Sequence, residues 1–546
     1  MRPGFSSLSL LLIGCGLVSG RVSVQDPSWT FFSSGSLQRA PATTNPVPRH
    51  SVTGTVVNSV TGEPIRRALV RVNAAEAHAA FSGPDGRFEL MDVPEGQVGF
   101  SAQKPGFLDP RTIRPSSASG LVAVGPATKK VVLQLIPEAK IRGRVLDESG
   151  EPIESLSVAL LAREIVQGRK QWIPRGQAST DATGEYSFEA LAPGFYSLHT
   201  VPFPIPPSSS KAVPNGTTRS EVLPKKYYPD GPDLDSVQPM ELKPGEESAV
   251  DFTLSPVPSF TVSGTAAGFS NQAFAFCMDE YGQMIASNER MNSQTGKFTI
   301  KNVPPGSWVV HVQSFGPQEQ FFGAEQPVEV SAADITGLNL QPQSPASIPV
   351  HVLNGNESHN QLQLELTPAR AGTRGTMQPF QKPGDPPGSL EFHNVPSGTY
   401  KLLARNLGND TACIESARSG GTDLSRDDLM VTAGVQPGPL EITLRSDCAD
   451  LSGTVRSSSE THQATGFVIL TGESSLLAPN PIPVAPDGKF SFKGLTPGAY
   501  RVYAFSDISD LEFANPHVLR DLPSQEVNLA PNQKADVQVD LITRGK

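Results

Sequence analysis

Five times along this 546-residue chain a glycine opens a short run of alternating apolar residues, and a second glycine closes it ten positions later. The pairs are Gly86 and Gly96, Gly184 and Gly194, Gly296 and Gly306, Gly388 and Gly398, and Gly488 and Gly498. The enclosed text varies while its chemistry does not: GRFELMDVPEG, GEYSFEALAPG, GKFTIKNVPPG, GSLEFHNVPSG, GKFSFKGLTPG. One spacing kept in five copies, about a hundred residues apart, specifies an array of similar β modules. In Pro84-Asp85-Gly86 and Pro486-Asp487-Gly488 the glycine supplies the positive φ of a tight turn. Phe490 and Phe492 then alternate with Ser491 and Lys493, the period of a half-buried strand. A proline-glycine turn follows, then a second alternating strand in which Tyr500, Val502 and Ala504 oppose Arg501 and Tyr503. Each bracketed unit is therefore expected to be a hairpin.

An extended segment opens each module: residues 52–56, 141–145, 261–265, 348–352 and 451–455. Turns such as Thr61-Gly62-Glu63-Pro64 and Ser149-Gly150-Glu151-Pro152 follow in modules one and two. A further strand closes each: Val131-Leu133-Leu135, Phe252-Leu254, Leu338-Leu340, Ile442-Leu444 and Val537-Val539-Leu541. The expected boundaries are 50–137, 138–257, 258–343, 344–447 and 448–546 for modules one to five. No stretch has a helical period, so the fold class is all-β, a tandem array of about five antiparallel Ig-like or prealbumin-like β-sandwiches.

Composition supports several small cores. The 49 glycines and 51 prolines are about 18% of the chain, above average but short of the disordered or collagen-like range. The 26 phenylalanines leave each module a small apolar centre. A net charge of −10, with Lys129-Lys130 and Lys225-Lys226 as isolated basic pairs, argues against a nucleic-acid partner. At the N-terminus, Arg2 and the short apolar stretch 5–18 form an export signal too brief to span a bilayer, and 21–49 is a flexible Ser/Thr/Pro/Ala tether. Cleavage after Gly20 is expected for residues 1–20. Leu12-Ile13-Gly14-Cys15 also resembles a bacterial lipoprotein box, which makes Cys15 a candidate for lipidation. The chain is accordingly expected to be secreted, periplasmic or at the cell surface. Of the other cysteines, Cys413 and Cys448 form a candidate disulfide, which the chain-entropy model values at roughly 3–4 kcal/mol. Cys277, in AFAFCMDE, is expected to be a small buried residue.

The apolar-x-Gly-x-Val opening, the Gly-Glu-Pro turn, the Asp-Gly-x-Phe strand and the Val-Pro-x-Gly-x-Tyr turn resemble the carboxypeptidase regulatory-like domain. That domain is a seven-stranded, transthyretin-like sandwich grouped with carbohydrate-binding-like folds. Residues 413–424, CIESARSGGTDL, resemble a segment of large secreted acidobacterial proteins built from such domains. Modules three and four depart from the pattern: both lack the Gly-Glu-Pro turn, and module four lacks the opening glycine. The resemblance implies no catalysis, since in metallocarboxypeptidases this domain accompanies a separate catalytic one. Free-standing arrays are expected to serve as envelope spacers, adhesive proteins or binding modules.

The residues agree. None of the nine histidines has a glutamate three positions later, as a zinc carboxypeptidase requires. His-Glu-x-x-His, Gly-x-Ser-x-Gly and Cys-x-x-Cys patterns are absent too. No catalytic residue, metal site or cofactor is expected, and His199, His311 and His351 are expected on polar strand faces. The aromatics of module two's proline-rich inserts, Trp172, Tyr227 and Tyr228, are candidate sugar-stacking rings; the alternative is that they cover the edge of their own module. The partners these features suggest are a polysaccharide, another envelope protein, or a peptidase that the chain would regulate.

Overall fold

Strict alternation along the opening strands decides which side of each is buried. In Arg49–Asn58, Val52, Gly54 and Val56 face inward while Ser51 and Thr53 face water. The computed structural model describes residues 48–543 apart from short internal stretches, of which 206–219 is the longest. The expected signal at 1–20, Cys15, nearly all of the tether and Gly388 lie outside the described residues.

In module one, Arg87–Pro94, Arg49–Asn58, Val131–Pro137 and Phe107–Leu108 form one sheet. Ala79–Phe81, Leu69–Asn73, Gly96–Gln103 and Leu121–Val124 form the other. Val52, Val56, Phe88 and Leu90 from the first pack against Val70, Val72, Phe100 and Ala102 from the second. The same plan recurs along the chain. Each opening strand pairs antiparallel with the glycine-bracketed strand of its own module: Ala139–Asp147 with Glu185–Leu191, Phe260–Ala266 with Lys297–Val303, Ala346–Leu353 with Leu390–Val395, and Ala449–Arg456 with Lys489–Leu495. Five buried clusters result, drawn from 52–135, 139–254, 260–340, 346–442 and 449–539. Helix among the described residues is limited to two four-residue turns, Pro110–Ile113 and Pro516–Leu519.

Two features differ from the expectation. The glycine-bracketed unit is not a hairpin. In modules one to four the strand before the second glycine lies in one sheet and the strand after it pairs within the other, as with Arg87–Pro94 and Gly96–Gln103; in module five Lys489–Leu495 and Gly498–Phe505 share a seven-stranded sheet without pairing with each other. Alternation reports a buried face, and it is blind to which sheet a strand joins. The second feature is that the closing strand runs parallel to the opening one in all five modules. Parallel first and last strands bring the chain in at one end of a sandwich and out at the other, which is what head-to-tail stringing needs.

The parallel pair explains the opening glycine. Gly54 sits opposite Phe88, and a Cβ there would lie 2.2 Å from the Val131 carbonyl oxygen and 2.4 Å from the Phe88 ring. Gly453 repeats this against Val537 (2.2 Å) and Phe490 (2.6 Å), Gly264 against the Leu338 oxygen (2.3 Å), and Gly143 against the Val250 oxygen (1.6 Å). Tyr186, across from Gly143, donates its hydroxyl to that same Val250 oxygen at 2.6 Å. Module four inverts the sizes: Val350 stands in the glycine position and faces Leu390 in the aromatic one. The missing opening glycine is thus matched by a missing ring.

A β-bulge breaks the pairing of every opening strand. At it, the seventh residue of each bracketed unit takes a left-handed conformation: Asp92, Ala190, Asn302, Asn394 and Gly494, with φ of 60°, 56°, 60°, 55° and 64°. Asn, Asp and Gly tolerate that region and Ala does not. Just beyond, an aromatic bonds back across the turn. The Tyr196, Tyr400 and Tyr500 hydroxyls donate to the carbonyls of Ala192, Pro396 and Thr496, and the Trp308 indole to Pro304, at 2.6–2.8 Å. The closing glycines Gly96, Gly306, Gly398 and Gly498 have φ between 130° and 157°, a feature Gly194 does not share.

Three substitutions test these constraints by calorimetry of the whole chain. Gly54→Ala should destabilise module one by about 2–3 kcal/mol, because the closing strand's backbone must move. Gly125→Ala, where nothing lies within 4 Å, should be neutral. Ala190→Gly should stabilise module two by about 1 kcal/mol by relieving the left-handed alanine. Equal effects at Gly54 and Gly125, or destabilisation by Ala190→Gly, would contradict these steric roles.

Candidate functional site

Titratable and reactive side chains gather where modules meet. At the joint between modules two and three, strand Gly194–Thr200 carries a run of buried residues from Tyr196 to Thr200. One side belongs to the module's own core through Tyr196 and Leu198. The other is covered by the insert that follows. Tyr227 pairs with His199 in register, and its ring lies 5.3 Å from the imidazole. Lys225 sets its ammonium 4.7 Å from the centre of the Tyr227 ring and bonds to the carboxylate of Asp279 in module three. Both members of that ion pair are nearly buried, 11% and 7% exposed. Asp279 also accepts the Gln283 backbone N–H at 2.8 Å, which fixes its other oxygen. Beside them, Glu221–Leu223 pairs with both Phe203–Pro204 and the inter-module strand Val257–Pro258, so backbone hydrogen bonds stitch the linker to module two. Removing one partner of a buried ion pair leaves the other stranded, typically at a cost of about 3–5 kcal/mol.

His199, expected on a polar face, is 1% exposed. The insert covers what would otherwise be the outer face of its sheet. Burial pulls its pKa down to about 4, the Lys225 ammonium adds to that, and the Thr200 carbonyl and Asp279 oppose it. His311 stacks on Phe276, ring centres 5.5 Å apart, while His351 is exposed as expected.

The candidate sugar-stacking rings serve packing. Tyr227 is 6% exposed and joins Leu161, Leu234 and Val237 in a satellite cluster against which Trp172 packs. Tyr228 is half-buried against the core, its ring edge-on to Phe252. Tyr227 is too buried to present a stacking face, and all three rings pack on their own module, the alternative the sequence left open. A shallow cleft of about 570 Å³ on module five is lined by Thr471, Tyr500, Arg501, Glu526 and Asn528. Arg501 and Glu526 neutralise each other across it at 2.8 Å, and the Tyr500 hydroxyl is engaged with Thr496.

At the joint between modules four and five, Cys413 and Cys448 are joined as a disulfide, with Cα atoms 5.8 Å apart. Cys413 begins the strand Cys413–Ser419 and Cys448 immediately precedes Ala449–Arg456, so the bond spans the joint. Thr496 donates to the Ile414 carbonyl at 2.8 Å, Asn532 N–H donates to the Asp447 carbonyl at 2.9 Å, and Arg445 grips Asp447 at 2.7 Å. At the first joint the Gly245 N–H donates to the Pro137 carbonyl at 3.1 Å, and beside it, within module two, the Lys140 N–H donates to Glu246 at 2.8 Å. Cys277 is a free, buried thiol whose pKa burial pushes up to about 12, which leaves it protonated and inert. Among the described residues, no three His, Cys, Asp or Glu side chains gather as a metal-ligand set.

Sequence reasoning missed Lys225 and Asp279. Lys225 sat in what looked like an ordinary basic pair. The usable signal was in AFAFCMDE, where a carboxylate ends an otherwise apolar strand with no cation beside it in sequence.

Residues 51–124 and 140–255 match the carboxypeptidase regulatory-like domain. A search of the curated proteins finds no match. Solved structures similar to this chain include the Bacillus anthracis TIE protein, 10% identical over 91% of this chain and 68% of that one, TM-score 0.15. BcpA, the major pilin subunit of Bacillus cereus, is 10% identical over 74% and 99%, TM-score 0.14. A streptococcal ancillary pilin is 11% identical over 54% and 99%, TM-score 0.17.

The His199 environment sets a pH dependence. Its folded pKa, about 4, lies below the 6.5 of the free side chain, so the unfolded chain takes up the proton first. Stability is therefore lost as pH falls from about 6.5 to about 4, by on the order of 3 kcal/mol in total. Calorimetry of wild type and His199→Gln across that window should show a difference that grows towards acid. Parallel curves would contradict the assignment.

Proposed function

We propose that this chain, a protein of tandem carboxypeptidase regulatory-like domains through residues 51–124 and 140–255, is a non-enzymatic structural protein of the cell exterior or envelope. Its work is to hold modules at fixed spacing and orientation. The observation that carries this reading is where the chemistry went. The disulfide and the buried ion pair are spent on joints between modules. Parallel first and last strands string the modules head to tail. A disulfide belongs to an oxidising compartment, which supports export. An adhesive role or a peptidase-regulating role would use the same rigid frame, with recognition carried by loops.

Mass spectrometry of the protein from its native cell tests the proposal. The expected result is a mature chain beginning after Gly20 or at an acylated Cys15, with Cys413 and Cys448 oxidised. A chain that retains Met1 with both thiols reduced would contradict it. In the same material, hydrolysis of a peptide or glycan that co-purifies with the chain would overturn the non-enzymatic reading.

A further inference from the structure

Module two carries a long hairpin, Ser157–Val166 and Arg169–Ser179, of ten and eleven residues, where the matching strands of module one have five and three. Module five carries an apolar connection after its strand Gly498–Phe505, with Ile508, Leu511, Phe513, Leu519 and Leu522 between there and Gln525–Leu529. These two elements meet, although more than 300 residues separate them. Ile469, Tyr503 and Phe505 point away from module five's own core, and the connection folds over them as a second apolar cluster. Ile165 of the module-two hairpin packs against that cluster.

The tip of the hairpin is shaped to the contact. Gly168 has φ of 78°, and a Cβ there would lie 2.6 Å from the Phe513 ring and 2.7 Å from Ala514. Its carbonyl accepts the Ala514 backbone N–H at 2.9 Å. Lys170 N–H donates to the Glu512 carboxylate at 3.1 Å, and the Lys170 ammonium lies 3.9 Å from Asp510. Apolar burial, a backbone hydrogen bond and matched charge thus coincide at one spot.

We propose that the hairpin tip and the module-five connection form an intramolecular latch: module five is a docking site, and its occupant is the Gly168 turn of the same chain. The latch joins non-neighbouring modules, so modules two to five are tied at both ends of their run. It is held by a few contacts, whereas each sandwich is held by whole strand ladders, so it opens before any module unfolds.

Spin labels on the full chain at Gln177→Cys and His517→Cys, both exposed positions, read the latch directly, in a background without other reactive thiols. The wild-type latch predicts one narrow distance distribution between the labels, unchanged when labelled chain is diluted into excess unlabelled chain. Gly168→Val should reduce that population by roughly tenfold or more, through overpacking against Phe513 and loss of the left-handed turn. Ile165→Glu should do the same without touching the turn, and calorimetry should show the module transitions retained in both variants. A broad wild-type distribution, a narrow peak unmoved by both substitutions, or a peak lost on dilution into unlabelled chain would each overturn the proposal.

Discussion

In modules one, two, three and five the closing strand lies so near the opening strand that no side chain fits between them at one position, and the plan of those modules follows from that approach. At Gly54 and Gly453 a carbonyl oxygen of the parallel partner occupies the space a Cβ would take, and an aromatic ring from the neighbouring strand covers the glycine. The ring restores the apolar surface the glycine gave up, so the pair acts as one side chain divided between two strands. Module four shows that the total matters more than its division, since Val350 and Leu390 fill the same place with the bulk redistributed. With the first and last strands locked in parallel, entry and exit fall at opposite ends of a sandwich, and an array becomes possible.

Much of this was legible from residue pattern. The bracketed units marked the modules, alternation marked the strands, and the resemblance to a known domain came from residues that prove to be structural: the opening glycine, the aromatic opposite it and the Tyr that bonds back across the turn. Partnership between strands was not legible. Alternation in Arg87–Pro94 and Gly96–Gln103 looks the same whether they pair together or lie in facing sheets. The bulge was half visible, because Asp92, Asn302, Asn394 and Gly494 are residue types that accept positive φ, while Ala190 gave no warning.

The joints were the least legible part. Local pattern places His199 on a polar face and leaves Tyr227 open between a stacking ring and a cover for its own module; both are buried, because an insert and a neighbouring module cover their sheet. Lys225 and Asp279 lie 54 residues apart and pair only after two modules have folded. Covering the outer face of a sheet turns an alternating strand into one buried on both sides, as residues 502–505 already hint with Val-Tyr-Ala-Phe. Such runs, in a chain whose other strands alternate, mark the faces where something else docks.

Native-state hydrogen exchange along the whole chain tests the central claim most directly, because it reads the opening of each strand pair separately. Five separately cored modules should give five blocks of strong protection, each peaking in an opening strand and its parallel closing partner, with weaker protection in the connections between. Protection that runs uniformly through the joints, or opening strands that exchange as fast as their loops, would contradict it.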